Sequence, residues 1–233
     1  MTFPFTTDSI VRDIVNKFPK SSDVFKKYRI DFCCGGNIPL TDAIAQGGID
    51  TDSIMTDLKD LYEKNANTET NPEVWTDSDT NTIIDHVISQ YHRPLEEELA
   101  QLSPYVTKIS RVHGEHHPEL IRVNELFYEF KKEMLEHCAK EEEVVFPLIR
   151  KLANNEVEDR AGAAAQIVEL EKEHDAAGAL LMEIREITSD FALPIDACGT
   201  YTLVFKRLEE LEGQTFMHVH LENNILFPRY TNI

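Results

Sequence analysis

The sequence predicts an all-α protein in which an antiparallel four-helix bundle follows a small helical domain. Three observations predict this fold class. From residue 77 onward the apolar side chains recur at helical spacing, no stretch shows the alternation of a β-strand, and only nine of the 233 residues are glycine. Four long amphipathic helices bury their apolar faces most simply against one another, which favours a bundle.

Residues 1–64 are predicted to form the small domain, built from short helices joined by turns. Pro19 ends the first helix, because proline has no N–H to donate to the helical ladder. The segment 31–37 contains Cys33, Cys34 and two glycines, which indicate a turn. Residues 65–76 are polar and include a proline, so we predict a linker there.

The bundle is predicted at 77–233. Its helices are expected over 79–102, 118–152, 157–187 and 197–226, each with an apolar stripe at a spacing of three or four residues. The dipeptide Phe-Pro lies near the end of the second of these helices and directly after the fourth. Since proline interrupts the helical hydrogen bonds, we expect each helix to kink or end there.

Charge and composition exclude several classes of function. Asp and Glu total 42 against 23 Lys and Arg, a net charge of −19, of which residues 66–233 carry −17. Such a surface repels nucleic acid and anionic membranes, so we expect neither as a partner. We also expect no membrane span and no export signal, and the adjacent cysteines indicate reduced thiols in the cytoplasm.

A motif that occurs twice indicates the chemistry of the bundle. His137-x-x-x-Glu141 and His218-x-x-x-Glu222 are each followed by Phe-Pro at the same offset. Residues four apart lie on one face of a helix, so each pair can direct an imidazole and a carboxylate at one metal ion. The repeat predicts two similar helix pairs, each contributing one such motif.

One further histidine in each half completes the predicted set of ligands. His92 precedes His137 by 45 residues, and His174 precedes His218 by 44. Four imidazoles and two carboxylates can hold two ions, with each carboxylate bridging both. Imidazole and carboxylate suit iron, manganese or zinc, and carboxylate-bridged di-iron sites recur in helix bundles. We therefore predict two iron ions as the cofactor.

Other polar side chains near this motif have weaker cases. His86 and Glu171 share helices with the predicted ligands and could orient them. The alternative for His86 is a core or surface histidine, and the alternative for Glu171 is a charge on the helix surface. His220 is predicted to point away from the ligand face. Cys138 is likewise predicted to point elsewhere, and Cys138 and Cys198 are interpreted as buried small apolar residues. The remaining candidates are interpreted as solvated side chains: Glu96, His113, His116 and His117.

Cys33 and Cys34 allow several interpretations. Backbone N–H groups of the glycine-rich turn could lower the pKa of the thiols and favour the thiolate. The two residues could then accept iron, reduce the metal centre or exchange disulfides with a partner. The alternative is a packing role within the small domain.

The double His-x-x-x-Glu motif resembles that of hemerythrin-like domains. The Asp-Phe-Cys-Cys-Gly-Gly segment is similar to the short domain of the iron–sulfur cluster repair proteins, also called the repair of iron centres family. The resemblance covers 1–64 and about 77–230. It implies a non-haem, oxo-bridged di-iron centre bridged by two glutamates and completed by histidines: Glu141, Glu222, His92, His137, His174 and His218.

The resemblance also implies a function. A bacterial cytoplasmic protein of this family restores iron–sulfur clusters damaged by oxidative or nitrosative stress, so damaged iron–sulfur proteins are the expected partners, and iron supply is the expected mechanism. Nitric oxide and oxygen are expected ligands. The alternatives are reduction of nitric oxide to nitrous oxide, with unassigned catalytic residues, or sensing of these gases. The chain lacks the fifth histidine of oxygen-carrying hemerythrin, which disfavours stable oxygen carriage. The sequence leaves open whether the protein forms a homodimer.

Overall fold

The computed structural model describes residues 3–65 and 75–231. Within these ranges the chain is helical, with no strand beyond an isolated bridge between Ile10 and Pro39. The predicted all-α class is therefore confirmed. The chain divides into two compact units, one made of the residues up to Ile83 together with those from Phe216 on, the other of Ile84–Thr215. Most of the predicted linker 65–76 lies outside the described residues.

Short helices make up the N-terminal part of the first unit: α1 (Val11–Lys17), α2 (Ser21–Lys27), α3 (Leu40–Gly47) and α4 (Thr51–Asn65). Helix α1 ends at Lys17, two residues before Pro19, as the sequence predicts. Its first amides, those of Val11 and Arg12, donate to the carbonyl oxygens of Ile38 and Gly36. The glycine-rich segment therefore caps the start of α1.

The hydrophobic core of the first unit is built from both ends of the chain. Phe25, Phe32 and Leu58 are almost fully buried in it. Val219, from the far end of the sequence, belongs to the same core, and Phe216 packs against it. The C-terminal residues of this unit are thus part of its folding core.

All four predicted long helices are present, in segments: α5 (Thr80–Val87), α6 (Arg93–His113), α7 (Glu119–Lys140), α8 (Phe146–Ala153), α9 (Arg160–Ile187), α10 (Gly199–Leu221) and α11 (Pro228–Thr231). The first was predicted to end at residue 102, but α6 continues through Pro104 to His113. The missing N–H of Pro104 costs one helical bond. Burial of Val106 and Ile109 on the same helix offsets this loss.

Three of the long helices contain a π turn that ends two residues before a proline. The turns are Ile88–His92, Glu141–Val145 and Glu222–Leu226, and Pro94, Pro147 and Pro228 follow them. The residue before each proline donates its N–H to the carbonyl oxygen five positions earlier: Arg93 to Ile88, Phe146 to Glu141 and Phe227 to Glu222.

The π turn at Glu141 corrects the expectation that the second long helix ends at Phe146-Pro147, while the predicted kink stays a prediction. A proline ring clashes with the carbonyl group four residues earlier, and the wider turn moves that group aside. The helical path then continues: α8 runs on to Ala153 after Pro147. π turns are frequent at functional sites, and these three contain the predicted ligands His92, Glu141 and Glu222.

Candidate metal centre

Helices α7 and α9 bring three predicted ligands together in the second unit. His137 and Glu141 lie one turn apart on α7, with 3.3 Å between Nε2 and a carboxylate oxygen. The Nε2 atom of His174, from α9, lies 2.9 Å from that of His137. Ligand atoms of these three side chains all lie within 4.8 Å of one another, and all three residues are buried.

A fourth predicted ligand of this unit faces the same carboxylate. His92 ends the first π turn, and its Nε2 lies 3.3 Å from the Glu141 oxygen that also faces His137. Glu141 has no exposed surface, and His92 has 1%. Two imidazoles from different helices thus converge on one buried carboxylate, an arrangement that permits the predicted bridging role of Glu141.

The first unit contains the second His–Glu pair of the repeated motif. His218 and Glu222 lie one turn apart with 3.2 Å between Nε2 and a carboxylate oxygen, and both are fully buried. Glu222 begins a π turn, as Glu141 does in the second unit. The motif repeated in sequence is therefore repeated in local structure.

The chemistry of these side chains fits a metal ion. Burying a carboxylate in a protein interior is costly unless a positive charge compensates it. Glu141 and Glu222 are both fully buried beside imidazoles. Imidazole nitrogen with carboxylate oxygen is the set of ligands that iron, manganese and zinc accept. The residues can therefore hold such a cation.

Two carboxylates that the sequence analysis did not select orient the histidines. The Nδ1 atom of His137 lies 2.8 Å from a Glu173 oxygen, and Lys140 donates to the other oxygen of Glu173. Partial burial opposes ionisation of Glu173, but the hydrogen bonds from Lys140 and His137 outweigh it and lower the pKa. A carboxylate on Nδ1 fixes the ring orientation and leaves Nε2 for a metal.

His92 has an equivalent partner. Its Nδ1 lies 2.9 Å from Glu142, whose two oxygens accept hydrogen bonds from the Arg93 guanidinium. Partial burial again opposes ionisation of Glu142, and the bonds from Arg93 and His92 outweigh it and lower the pKa. Glu142 and Glu173 each adjoin a predicted ligand in sequence, and this adjacency is the signal by which the sequence could have identified them.

The orienting role that the sequence analysis gave to His86 and Glu171 stays a prediction. The ring of His86 lies against Tyr91, with 5.6 Å between centroids. Glu171 is half-buried, and burial raises its pKa. The described orienting contacts of His137 and His92 come from Glu173 and Glu142.

Cys138 contacts the site, contrary to the expectation that it points elsewhere. It is buried, as predicted. Burial alone lowers the pKa of His92, but hydrogen bonds with the Cys138 thiol and the Glu141 carboxylate outweigh it and raise this pKa to about 11. Position 138 follows His137 directly, and its thiol reaches His92 because α7 packs against α6.

The double-cysteine segment of the first unit is organised by Asp31, which the sequence analysis overlooked. The Asp31 carboxylate accepts the backbone N–H groups of Cys33 at 2.9 Å, Cys34 at 3.0 Å and Gly35 at 2.8 Å. Those amides were expected to stabilise a thiolate, and that expectation is wrong for Cys33. A hydrogen bond with the Cys34 thiol, 3.8 Å away, and burial instead raise the pKa of Cys33.

Residues around Glu222 hold the double-cysteine segment within the same unit. The Asn224 amide donates to the Cys33 carbonyl oxygen at 2.8 Å, and Nδ1 of His220 lies 3.0 Å from the Phe32 carbonyl oxygen. Burial lowers the pKa of His220 to about 4. Asn224 lies in the π turn that Glu222 begins, so the cysteine segment contacts the turn that carries a predicted ligand.

Cys198 is exposed, which corrects the prediction that it is buried. It directly precedes α10, where its side chain reaches solvent at the helix N-terminus.

Among the described residues, no helix has the length and apolar character that a membrane-spanning segment requires.

Two family models match this chain. The hemerythrin HHE cation binding domain matches residues 83–230, which include all six predicted ligands. A domain of unknown function, named ScdA_N, matches residues 7–62, which include both adjacent cysteines. The hemerythrin-like nature of the bundle and the cation-binding character of its domain are thereby confirmed.

Proteins of known family align with nearly the whole chain. The iron–sulfur cluster repair protein ScdA of Staphylococcus haemolyticus is 39% identical over 97% of this chain and 99% of its own length. A probable iron–sulfur cluster repair protein of Haemophilus influenzae is 33% identical, over 94% and 95%. The iron–sulfur cluster repair protein YtfE of Escherichia coli is 32% identical, over 95% and 96%. The chain therefore belongs to the family of iron–sulfur cluster repair proteins.

Proposed function

We propose that this protein repairs iron–sulfur clusters damaged by oxidative or nitrosative stress and that it does so by supplying iron from a di-iron centre. The ligands we propose are the six residues of the repeated motif and its flanking histidines: His92, His137, Glu141, His174, His218 and Glu222. The family relatives, which are named for cluster repair, support the reaction. The cation binding domain that spans all six residues supports their joint role.

One observation carries the proposal of two ions. A single oxygen of the fully buried Glu141 lies 3.3 Å from both His92 and His137, which belong to different helices. A carboxylate between two imidazoles can bridge two cations, each with its own histidine. Glu222, fully buried beside His218, has the matching position in the second copy of the motif. When bound, two such ions supply exchangeable iron and coordination positions for nitric oxide or oxygen.

Release of iron to a partner requires a route to solvent. A cleft of about 520 Å³ opens between α7 and α9, and His137 and Glu173 are among its lining residues. Among the described ligands of this unit, His137 is the one that lines this cleft. Lys140 and Glu173 pair at the same cleft, so movement of these two charged side chains can expose His137 further.

The first experiment measures metal content and an absorption spectrum. We expect two irons per chain and near-ultraviolet bands of oxo-bridged ferric ions. His137→Ala is expected to lose iron, whereas His116→Ala, an exposed histidine away from the proposed ligands, is expected to retain it. A single zinc ion per chain, or equal iron in both variants, would refute the di-iron proposal.

The second experiment measures repair. A dehydratase that has lost iron from its cluster is incubated with the iron-loaded protein, with the metal-free protein, or with iron-loaded His116→Ala as the matched variant. We expect reactivation by the loaded proteins alone. Equal reactivation by the metal-free form would refute iron supply while leaving cluster repair in place. The alternative function, reduction of nitric oxide, is tested by gas analysis after nitric oxide is added, because a nitric oxide reductase releases nitrous oxide.

The proposed site of action is the cytoplasm. All four cysteines are free thiols, including the adjacent pair Cys33 and Cys34. Thiols stay reduced in that compartment, and iron–sulfur enzymes sensitive to oxidants are found there.

A further inference from the structure

A second group of reactive side chains lies outside the metal centre, at the N-terminus of α10. The thiol of Cys198 is exposed, and its Sγ lies 3.3 Å from Nε2 of His113. His113 is the last residue of α6, and Cys198 immediately precedes α10. All of these residues belong to the second unit. Cysteine and histidine at this distance form the pair of groups that many thiol nucleophiles use.

The two helix ends complement the charges that this pair would carry. An N-terminus favours an anion and a C-terminus favours a cation. The backbone amides of Tyr201 and Thr200, and then the charge of Lys108, stabilise the thiolate and lower the pKa of Cys198. His113, the last residue of α6, places its Nε2 3.3 Å from the same thiol. Asp196, two residues before Cys198, is the acidic group nearest in sequence.

A buried tyrosine holds His113 in place. The Tyr201 ring is 1% exposed and makes edge contacts with His113 at 5.5 Å and His117 at 5.7 Å. His117 is itself fixed by Asp196, whose oxygens lie 3.1 and 3.2 Å from its Nε2. The imidazole next to Cys198 is therefore supported by a packed ring on one side and remains partly open to solvent.

We propose that Cys198 and His113 form a reactive thiol–imidazole pair that is modified covalently by low-molecular-weight disulfides. Nε2 of His113 accepts the thiol proton, and the Cys198 thiolate attacks one sulfur of the disulfide. The disulfide bond breaks, a mixed disulfide forms on Cys198, and the leaving thiolate takes up the proton. Cys198 is oxidised, the released thiol is reduced, and no further reactant is needed.

The structure distinguishes Cys198 from the other three cysteines. Cys33 and Cys138 are buried, and Cys34 is half-buried. The same burial and the Cys34 thiol raise the pKa of Cys33. Reaction with a disulfide needs both exposure and thiolate character, and Cys198 combines them. The modified position is also separate from the proposed metal ligands.

The test uses the full-length, iron-loaded protein and the chromophoric disulfide 4,4′-dithiodipyridine, with peptide mass spectrometry to locate the product. We expect Cys198 to be modified first, with a midpoint of the rate–pH curve below the ~8.5 of an ordinary cysteine. Cys198→Ser removes this fast phase. Initial reaction at Cys34, or a midpoint at or above that of an ordinary thiol, would overturn the proposal.

Two histidine variants test the pair itself. His113→Gln is expected to slow the reaction at pH 7 by roughly fivefold or more, because the base that accepts the thiol proton is lost, while the midpoint stays below that of an ordinary cysteine because the backbone amides remain. His116→Gln, an exposed histidine two residues beyond the α6–α7 loop glycine, is the matched control and should leave both values unchanged. Equal effects of the two variants would remove His113 from the pair. Iron content measured in parallel should stay constant, so this proposal and the di-iron proposal can fail independently.

Discussion

Nδ1 of His137 lies 2.8 Å from a carboxylate oxygen of Glu173, a residue that belongs to a different helix and adjoins another predicted ligand, His174. The contact ties the orientation of one ligand to the position of the helix that supplies the next. Lys140 holds the other oxygen of Glu173, so the carboxylate is fixed at both ends. Rotation of His137 therefore requires two hydrogen bonds of Glu173 to change.

Replacement of Glu173 by glutamine is expected to weaken metal binding by about 10- to 100-fold, the usual effect of removing a carboxylate from a ligand histidine. The amide keeps the shape but loses the charge that strengthens Nε2 as a donor. Competition with a chelator measures the affinity. Glu169→Gln is the control on the same helix, since Glu169 pairs with the exposed Lys172. An equal affinity for the two variants would contradict the orienting role.

Replacement of Pro147 by alanine is expected to change the metal site without unfolding the helix. Alanine supplies an N–H and removes the ring clash, so the π turn that starts at Glu141 can revert to α-helical bonding and rotate Glu141 away from His92. We expect unchanged helical circular dichroism and reduced iron content. Pro104→Ala, within α6 and away from any π turn, should keep its iron. Retained iron in both variants would show that the π turn is dispensable.

Alkaline pH is expected to destabilise the protein through Cys33. The folded state raises the pKa of Cys33, through the Cys34 hydrogen bond and burial, above the ~8.5 of the unfolded chain. The contribution of Cys33 to stability is therefore complete below that value and is lost as the pH rises toward the folded pKa. Urea unfolding between about pH 7.5 and about pH 9.5, under reducing conditions, should show a steeper loss for the wild type than for Cys33→Ala. Parallel losses would contradict the assignment.

Replacement of Arg185 by methionine is expected to lower the free energy of unfolding by about 3 kcal/mol, because it strands a buried charge. Arg185 makes hydrogen bonds to both oxygens of Glu212, whose side chain is 2% exposed. Thermal or urea unfolding measures the loss. Lys172→Met, which breaks an exposed pair with Glu169 on the same helix, should cost less than about 1 kcal/mol. Similar losses would show that the Arg185 pair is no stronger than a surface pair.

The helices and the ligand pairs could be predicted from the sequence because both depend on local spacing. Four residues separate His137 from Glu141, and this interval alone places them on one face. Glu142 and Glu173 were missed because their contacts join different helices, and the register between helices is set by packing rather than by position in the chain. Adjacency to a ligand in sequence was the only signal. It does not single out Glu142 and Glu173, because Glu96, Glu143 and Asp175 are also near a ligand in sequence.

Thiol environments were predicted less well than metal ligands. The pKa of Cys33 is raised by the hydrogen bond with Cys34, by burial and by the Asp31 carboxylate, and all three depend on how the turn folds. The exposure of Cys198 depends on where α10 begins, and the predicted start at residue 197 would have placed this residue inside the helix. Helix ends are decided by such local competition among donors and acceptors.

The burial of Val219 in the core of the first unit bears on how this protein can be dissected in the laboratory. A truncated chain that begins after the small domain would leave Val219, His220 and Phe216 without the residues that cover them. Poor solubility or loss of iron in such a fragment would then report an uncovered helix face rather than a missing thiol. Point substitution of Cys33 or Cys34 in the intact chain is the cleaner comparison.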